Sequence, residues 1–144
     1  MKLKLKLLTE TAKVPTKAHD TDACFDLYSD KTIDEINPGE TVMIPTGIAT
    51  EIPIGYYAAV YARSGLGIKH NLRPANCVGV IDSDYRGEWV VGLHNDGKLV
   101  KSIKQGERIA QFIIQEVLPI EIEEVNELSD TERGDGGFGS SGKE

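Results

Sequence analysis

Cysteine is nearly absent from this chain of 144 residues, and the two present, Cys24 and Cys77, are too few for a disulfide framework. A small secreted scaffold is therefore excluded, and a reducing cytoplasm is the simplest expected location. Positive charge is also scarce: 16 Lys and Arg stand against 23 Asp and Glu, a net charge of −7. Broad binding to nucleic acid or to an anionic membrane needs a basic surface, so neither is expected. An anionic small ligand would instead need a local group of cations. Long apolar runs are missing as well, so no membrane span or secretory segment is expected. Met1-Lys2-Leu3-Lys4-Leu5-Lys6-Leu7 alternates lysine with leucine, which predicts a half-buried β-strand rather than a targeting segment.

What the chain does have is 40% hydrophobic residues and 15 glycines, enough for one domain with many tight turns. A domain of this length buries roughly 70% of the surface its extended chain would expose. Short strands are predicted within Ala23–Ser29, Ile33–Pro38, Glu40–Ile54 and Gly55–Tyr61, with a turn at Asn37-Pro38-Gly39-Glu40. Further strands are expected at Val80-Ile81 and Trp89-Val90-Val91, with Ser83-Asp84 and Gly87 as the turn of a hairpin between them. Asn95-Asp96-Gly97-Lys98 reads as another hairpin turn, from which Leu99–Ile103 returns. A strand follows Gln105-Gly106, and the last one is expected to end near Glu124. The only helix expected starts at Ser64 as N-cap and is stopped by Asn71 and Pro74. The fold class is all-β.

The stretch Gly79-Val80-Ile81-Asp82-Ser83-Asp84-Tyr85-Arg86-Gly87-Glu88-Trp89 carries the chemistry, with carboxylates, an aromatic and a cation inside a strand-turn pattern. Asp82 at a strand end is the candidate working aspartate; the alternative is that Asp82 and Asp84 only cap turn amides. Arg63 before Ser64 suits an anion site, combining a guanidinium with a helix N-terminus, or else an ordinary capped helix beside a surface arginine. Asp26, between Phe25 and Leu27, alternates to the face opposite theirs and reads as a solvent-facing strand residue. Gln111 in an apolar strand reads as a satisfied half-buried amide before it reads as a ligand contact.

From Asn126 the pattern dissolves into a glycine-rich tail. Gly137, Gly139 and Gly142 imitate a dinucleotide fingerprint, and Gly137–Lys143 nearly imitates a P-loop. Glu144 stands where that loop needs Ser or Thr and no helix can follow, so both are decoys. Arg133-Gly134-Asp135 is discounted as an adhesion tripeptide. By composition the tail reads as a disordered terminus, the alternative being that Arg133 and Phe138 close over a planar, phosphorylated ligand.

Five segments together resemble, in order, the motifs of the homotrimeric deoxyuridine triphosphatases (dUTPases). They are Asp22-Ala23-Cys24-Phe25-Asp26-Leu27, Ala62-Arg63-Ser64-Gly65-Leu66, Gly79 to Gly87, Gly106-Glu107-Arg108-Ile109-Ala110-Gln111 and Arg133 to Gly142. The resemblance implies a jelly-roll-like β domain over residues 1–125, with 126–144 as a flexible arm closing a neighbouring subunit's site. It implies hydrolysis of dUTP to dUMP and pyrophosphate, which limits uracil incorporation into DNA and supplies dUMP for dTTP synthesis. It casts Asp82 as general base for water attack on the α-phosphorus. Arg63, Ser64, Gly65 and Gln111 are cast as phosphate contacts. Asn76 would read uracil with the backbone of Val80, Ile81 and Val90, and Tyr85 would lie beneath the deoxyribose and exclude a 2'-hydroxyl. Arg133, Phe138 and Gly139 would supply the lid's γ-phosphate and stacking contacts. Mg2+ would ride on the triphosphate, with Asp26 an outer-shell partner at most.

Three departures stand out. Cys24 replaces a usual glycine, which would cost about 1 kcal/mol or more if the position needed a positive φ. Ala62 replaces a usual proline, and Trp89 a smaller aliphatic residue. A dCTP deaminase of the same fold is the alternative enzyme, but Gly92 stands where that family keeps its catalytic glutamate. A nucleotide-binding signalling scaffold is the alternative of another class.

Overall fold

Short alternating segments punctuated by glycine and proline fold as eleven strands over residues 1–137, the part of the chain that the computed structural model describes. These are β1 (Lys4–Leu7), β2 (Phe25–Tyr28), β3 (Ile33–Ile36), β4 (Thr41–Pro45), β5 (Ile48–Glu51) and β6 (Tyr56–Tyr61). After a single π-turn at Gly65–Lys69 come β7 (Leu72–Pro74), β8 (Gly79–Ile81), β9 (Val90–Asn95), β10 (Lys101–Ile103) and β11 (Arg108–Glu116). All pairs are antiparallel. One sheet runs β2-β11-β6-β8, a second β4-β9-β7, and β1-β5 and β3-β10 form two further pairs. The expected all-β class is what folds.

Strand β9 shows how pattern becomes packing. Val91, Leu93 and Asn95 point inward while Val90, Gly92 and His94 face away, the period of two that buries one face of a sheet. Their apolar members join Ile44 and Leu72 from the same sheet and Leu27, Val60, Ile109 and Phe112 from the other in one contiguous core. Two sheets sharing one core make a sandwich. Trp89, only 1% exposed, sits in its middle with its ring edge-on to Phe112 at 5.0 Å. The bulky residue therefore belongs to the core. Trp89→Ala should destabilise the fold by about 3–5 kcal/mol through lost burial and the cavity left behind, measured as a lower urea midpoint.

The structure corrects several expectations. Val80-Ile81 and Val90-Val91 do not form a hairpin: β8 pairs with β6, whereas β9 pairs with β4 and β7, so residues 82–89 cross from one sheet to the other. Trp89 is the pivot, its N–H donating to the Ile48 carbonyl and its carbonyl accepting from Thr46. The Asn95–Lys98 turn is not a hairpin either, because β10 pairs with β3. Asn95 is buried, and its amide donates to the carbonyls of Ile36 and Leu99 while its oxygen accepts from the Gly97 N–H, so the chain turns away. The last strand stops at Glu116 rather than near Glu124, beyond which Leu118, Ile120 and Ile122 lie exposed. Cys24 carries no strain, since Asn71 (φ 56°) is the only non-glycine with positive φ among the described residues.

Candidate active site

One group of candidate residues gathers part-way along β11, where β6 ends and β2 begins. Register places Asp26 opposite Gln111, and Gln111 opposite Tyr61 at the end of β6, from which the chain runs into Arg63. Asp26 is not solvent-facing. Its carboxylate accepts from Arg63 Nε at 2.7 Å and from an Arg108 terminal nitrogen at 3.2 Å, with the Asp26 side chain only 12% exposed. A buried carboxylate is tolerable because two guanidiniums meet it, and in return it fixes both. Sequence reasoning missed Arg108; its sole signal was its place three residues before Gln111 in the fourth motif. The Gln111 amide donates to the Ala62 carbonyl at 2.9 Å, the satisfied half-buried role expected of it.

Ser64 holds the N-cap position expected of it but does not cap the turn. Its backbone is itself helical (φ −54°, ψ −45°) and its hydroxyl makes no capping bond, so this exposed oxygen has no hydrogen-bond partner among the described residues. The amides of Gly65 and Leu66 precede any intrahelical acceptor, whereas that of Gly67 donates to the Arg63 carbonyl at 2.8 Å. At Gly65 a Cβ would meet nothing within 4 Å and φ is not positive, so the fold of the single chain does not demand glycine there. The space beside it is open. Asp22, Cys24, Asp26, Arg63, Arg108 and Gln111 line a cavity of about 340 Å³. Burial pushes the Cys24 thiol above its usual range, which keeps it neutral beside these charges.

A second group surrounds β8. Gly79 packs so closely that a Cβ would come within 3.3 Å of both the Asn76 amide and Val60, so the missing side chain lets the amide lie against the strand. Asn76, Gly79, Val80, Ile81 and Val90 line one narrow slot, floored by Leu27 and Trp89. Strand β8 is an edge strand, so one side of its backbone presents unpaired donors and acceptors. Asp82 follows directly and is exposed. Its carbonyl accepts from the Tyr85 N–H at 3.2 Å, closing the turn that carries Tyr85.

Gly79 pairs with Val60, next to the Tyr61 that faces Gln111, so it is Asp82 that lies towards the other end of β6. Ile81 pairs with Ala58 and Gly79 with Val60, so Asp82 falls beside Tyr57, six residues from Arg63. At about 3.3 Å per residue the strand alone, from Tyr57 to Tyr61, accounts for roughly 13 Å of that separation. A single chain does not bring Asp82 to Arg63, Ser64 and Gln111. Arg133 is exposed, with Nε donating to the Gly136 carbonyl in its own turn at 2.9 Å. Phe138 and Gly139 lie outside the described residues. Among the described residues no three His, Cys, Asp or Glu side chains cluster as a metal site.

The sequence matches the dUTPase family profile over residues 10–142. The chain belongs to the dUTPase family. It is similar to the deoxyuridine 5'-triphosphate nucleotidohydrolases of Nautilia profundicola, 50% identical over 99% of this chain and 100% of that one, and of Trichodesmium erythraeum, 48% identical over 99% of each. Among solved structures it resembles a mutant dUTPase of Staphylococcus bacteriophage 80alpha with dUpNHpp, with a TM-score of 0.88 and 32% identity over 98% of both chains. It also resembles a mutant dUTPase of phage phi11 of S. aureus, with a TM-score of 0.82 and 26% identity over 90% of this chain and 100% of that one. That structure reveals the coordination of a structural Mg(II) ion. These likenesses make the chain a hydrolase of the dUTPase fold.

Proposed function

We propose that the chain hydrolyses dUTP to dUMP and pyrophosphate at sites shared between subunits of a homotrimer, in the cytoplasm. The observation that carries this reading is the division of the site: an anion-binding half around Arg63 and a carboxylate half around Asp82, set towards the two ends of β6. Each half lacks what the other has. A neighbouring chain that brings its Asp82 to this chain's Arg63 completes the site. The exposed apolar row Leu118, Ile120 and Ile122 beyond β11 supports an assembled state, because such a row in water wants a partner.

In this reading dUTP lies across the junction. Arg63, the Ser64 hydroxyl, the open backbone at Gly65 and Gln111 hold the phosphates through charge-assisted and dipolar contacts. Asn76 offers an amide donor and acceptor to uracil, with the backbone edge of Val80 and Ile81 and that of Val90 on the other side of the slot. Tyr85 lies beneath the deoxyribose. Asp82 takes the proton from a water positioned to attack the α-phosphorus, and pyrophosphate leaves. Residues 1–125 are the catalytic domain and 126–144 the arm, which brings Arg133, Phe138 and Gly139 over a neighbour's bound nucleotide.

Mg2+ fits as a passenger on the substrate. Both carboxylate oxygens of Asp26 already accept from arginines, leaving this residue suited to a water of the ion's outer shell. The ion supplies charge neutralisation on the triphosphate.

The test is product analysis with Mg2+ and each of dUTP, dCTP, dTTP and UTP. Pyrophosphate and dUMP from dUTP alone are expected. Ammonia from dCTP would move the chain to the deaminases despite Gly92, and tight dUTP binding without turnover would favour a signalling scaffold.

A further inference from the structure

Gly87 has a backbone that any residue could adopt, since its φ is not in the left-handed region. The reason for glycine lies in what occupies its side-chain space. A Cβ at Gly87 would collide with the Tyr85 hydroxyl, come within 2.6 Å of Cζ and 3.0 Å of Cε2, and so share space with the outer half of that ring. The ring folds back over residue 87 and its hydroxyl donates to the Glu88 carbonyl at 3.1 Å.

The backbone around this contact is pinned from both sides, whereas the ring is held only by its hydroxyl's bond to Glu88 and its seat on residue 87. Glu88 accepts from the Gly47 N–H through its carboxylate at 2.8 Å, and Trp89 is held by Thr46 and Ile48 on the opposite sheet. On the other side, Arg86 donates to the Ser83 carbonyl at 2.7 Å and to the Tyr85 carbonyl at 3.0 Å. Tyr85 itself is 44% exposed and can swing into water. A side chain added at 87 therefore moves the ring rather than the chain.

We propose that Gly87 is a positioning residue that seats the Tyr85 ring, and that through this seat it sets how strictly the site rejects a ribonucleotide. This rests on the reading of Tyr85 as the floor beneath the deoxyribose. A ring held flat on Gly87 is a fixed wall against a 2'-hydroxyl. A ring displaced by a methyl group leaves room for that hydroxyl and loses part of its contact with deoxyribose.

The test compares kcat/KM for dUTP and UTP, with Mg2+, in the full chain and in Gly87→Ala, Tyr85→Ala and the double variant. Gly87→Ala should lower the dUTP-over-UTP ratio by about tenfold or more, to the level of Tyr85→Ala. On the Tyr85→Ala background it should change nothing further, because the two act through one ring. A ratio unchanged in Gly87→Ala, or a loss that adds fully to that of Tyr85→Ala, would overturn the proposal. A merely structural role would lower the thermal midpoint, which should stay that of the wild type. The Tyr85 ring resonances, assigned by their loss in Tyr85→Phe, should shift in Gly87→Ala; an unmoved ring sinks the proposal even if the wild-type chain turns over no dUTP, a result that would sink the functional reading separately.

Discussion

Chains carrying Asp82→Asn and chains carrying Arg63→Ala, each inactive alone, should regain activity when unfolded together in equal amounts and refolded as mixed assemblies. The recovered level should be about a quarter of the wild-type value, since a shared site works only when its Asp82 comes from one parent and its Arg63 from the other, each with even odds. The geometry behind this is the register of β6 with β8, which sets Asp82 beside Tyr57 and leaves Arg63 at the far end of the strand. Were the site built within one chain, every mixed assembly would stay dead, because each chain carries one lesion. The readout is pyrophosphate release after refolding, with each parent refolded alone as baseline. A mixture no better than its parents would remove the shared site from the reading while leaving the family assignment intact.

The strands were legible because their signal is local. Alternation at Met1–Leu7, the turn at Asn37–Glu40 and the run before Gln111 each announce an element through residues within reach of one another. Pairing was not legible, because β8 and β9 are joined by a turn-rich loop that looks like a hairpin. What decides against it is a distant fact: Trp89 is clasped by the backbone of Thr46 and Ile48, some forty positions away. Asp26 failed the same way. Its alternation with Leu27 points it outward on an isolated strand, but the face it reaches is filled by Arg63 and Arg108 from two other elements. Composition does not reveal which guanidinium meets which carboxylate. The candidate residues were visible as motifs, whereas the separation of Asp82 from Arg63, towards the two ends of β6, belongs to register, which no single motif contains.

Asp82→Asn should lower kcat by about 10² to 10⁴, the usual worth of a positioned general base, while leaving the nucleotide bound as before. The substitution replaces one oxygen by an amide of nearly the same size, so the slot beside β8 keeps its shape. Asp82 is exposed, and its structural bond, from the Tyr85 N–H, goes to the backbone carbonyl that asparagine retains. Stability should therefore stay within about 0.5 kcal/mol of wild type, as for surface changes that orphan no buried group. Affinity for a non-hydrolysable dUTP analogue, measured by calorimetry, should change by less than about threefold, because the proton-accepting role belongs to the transition state and not to the ground state. That split separates a base from a binding residue. If Asp82 only capped its turn, kcat would persist and the melting curve would move; if it mainly held substrate, KM would rise with kcat little changed.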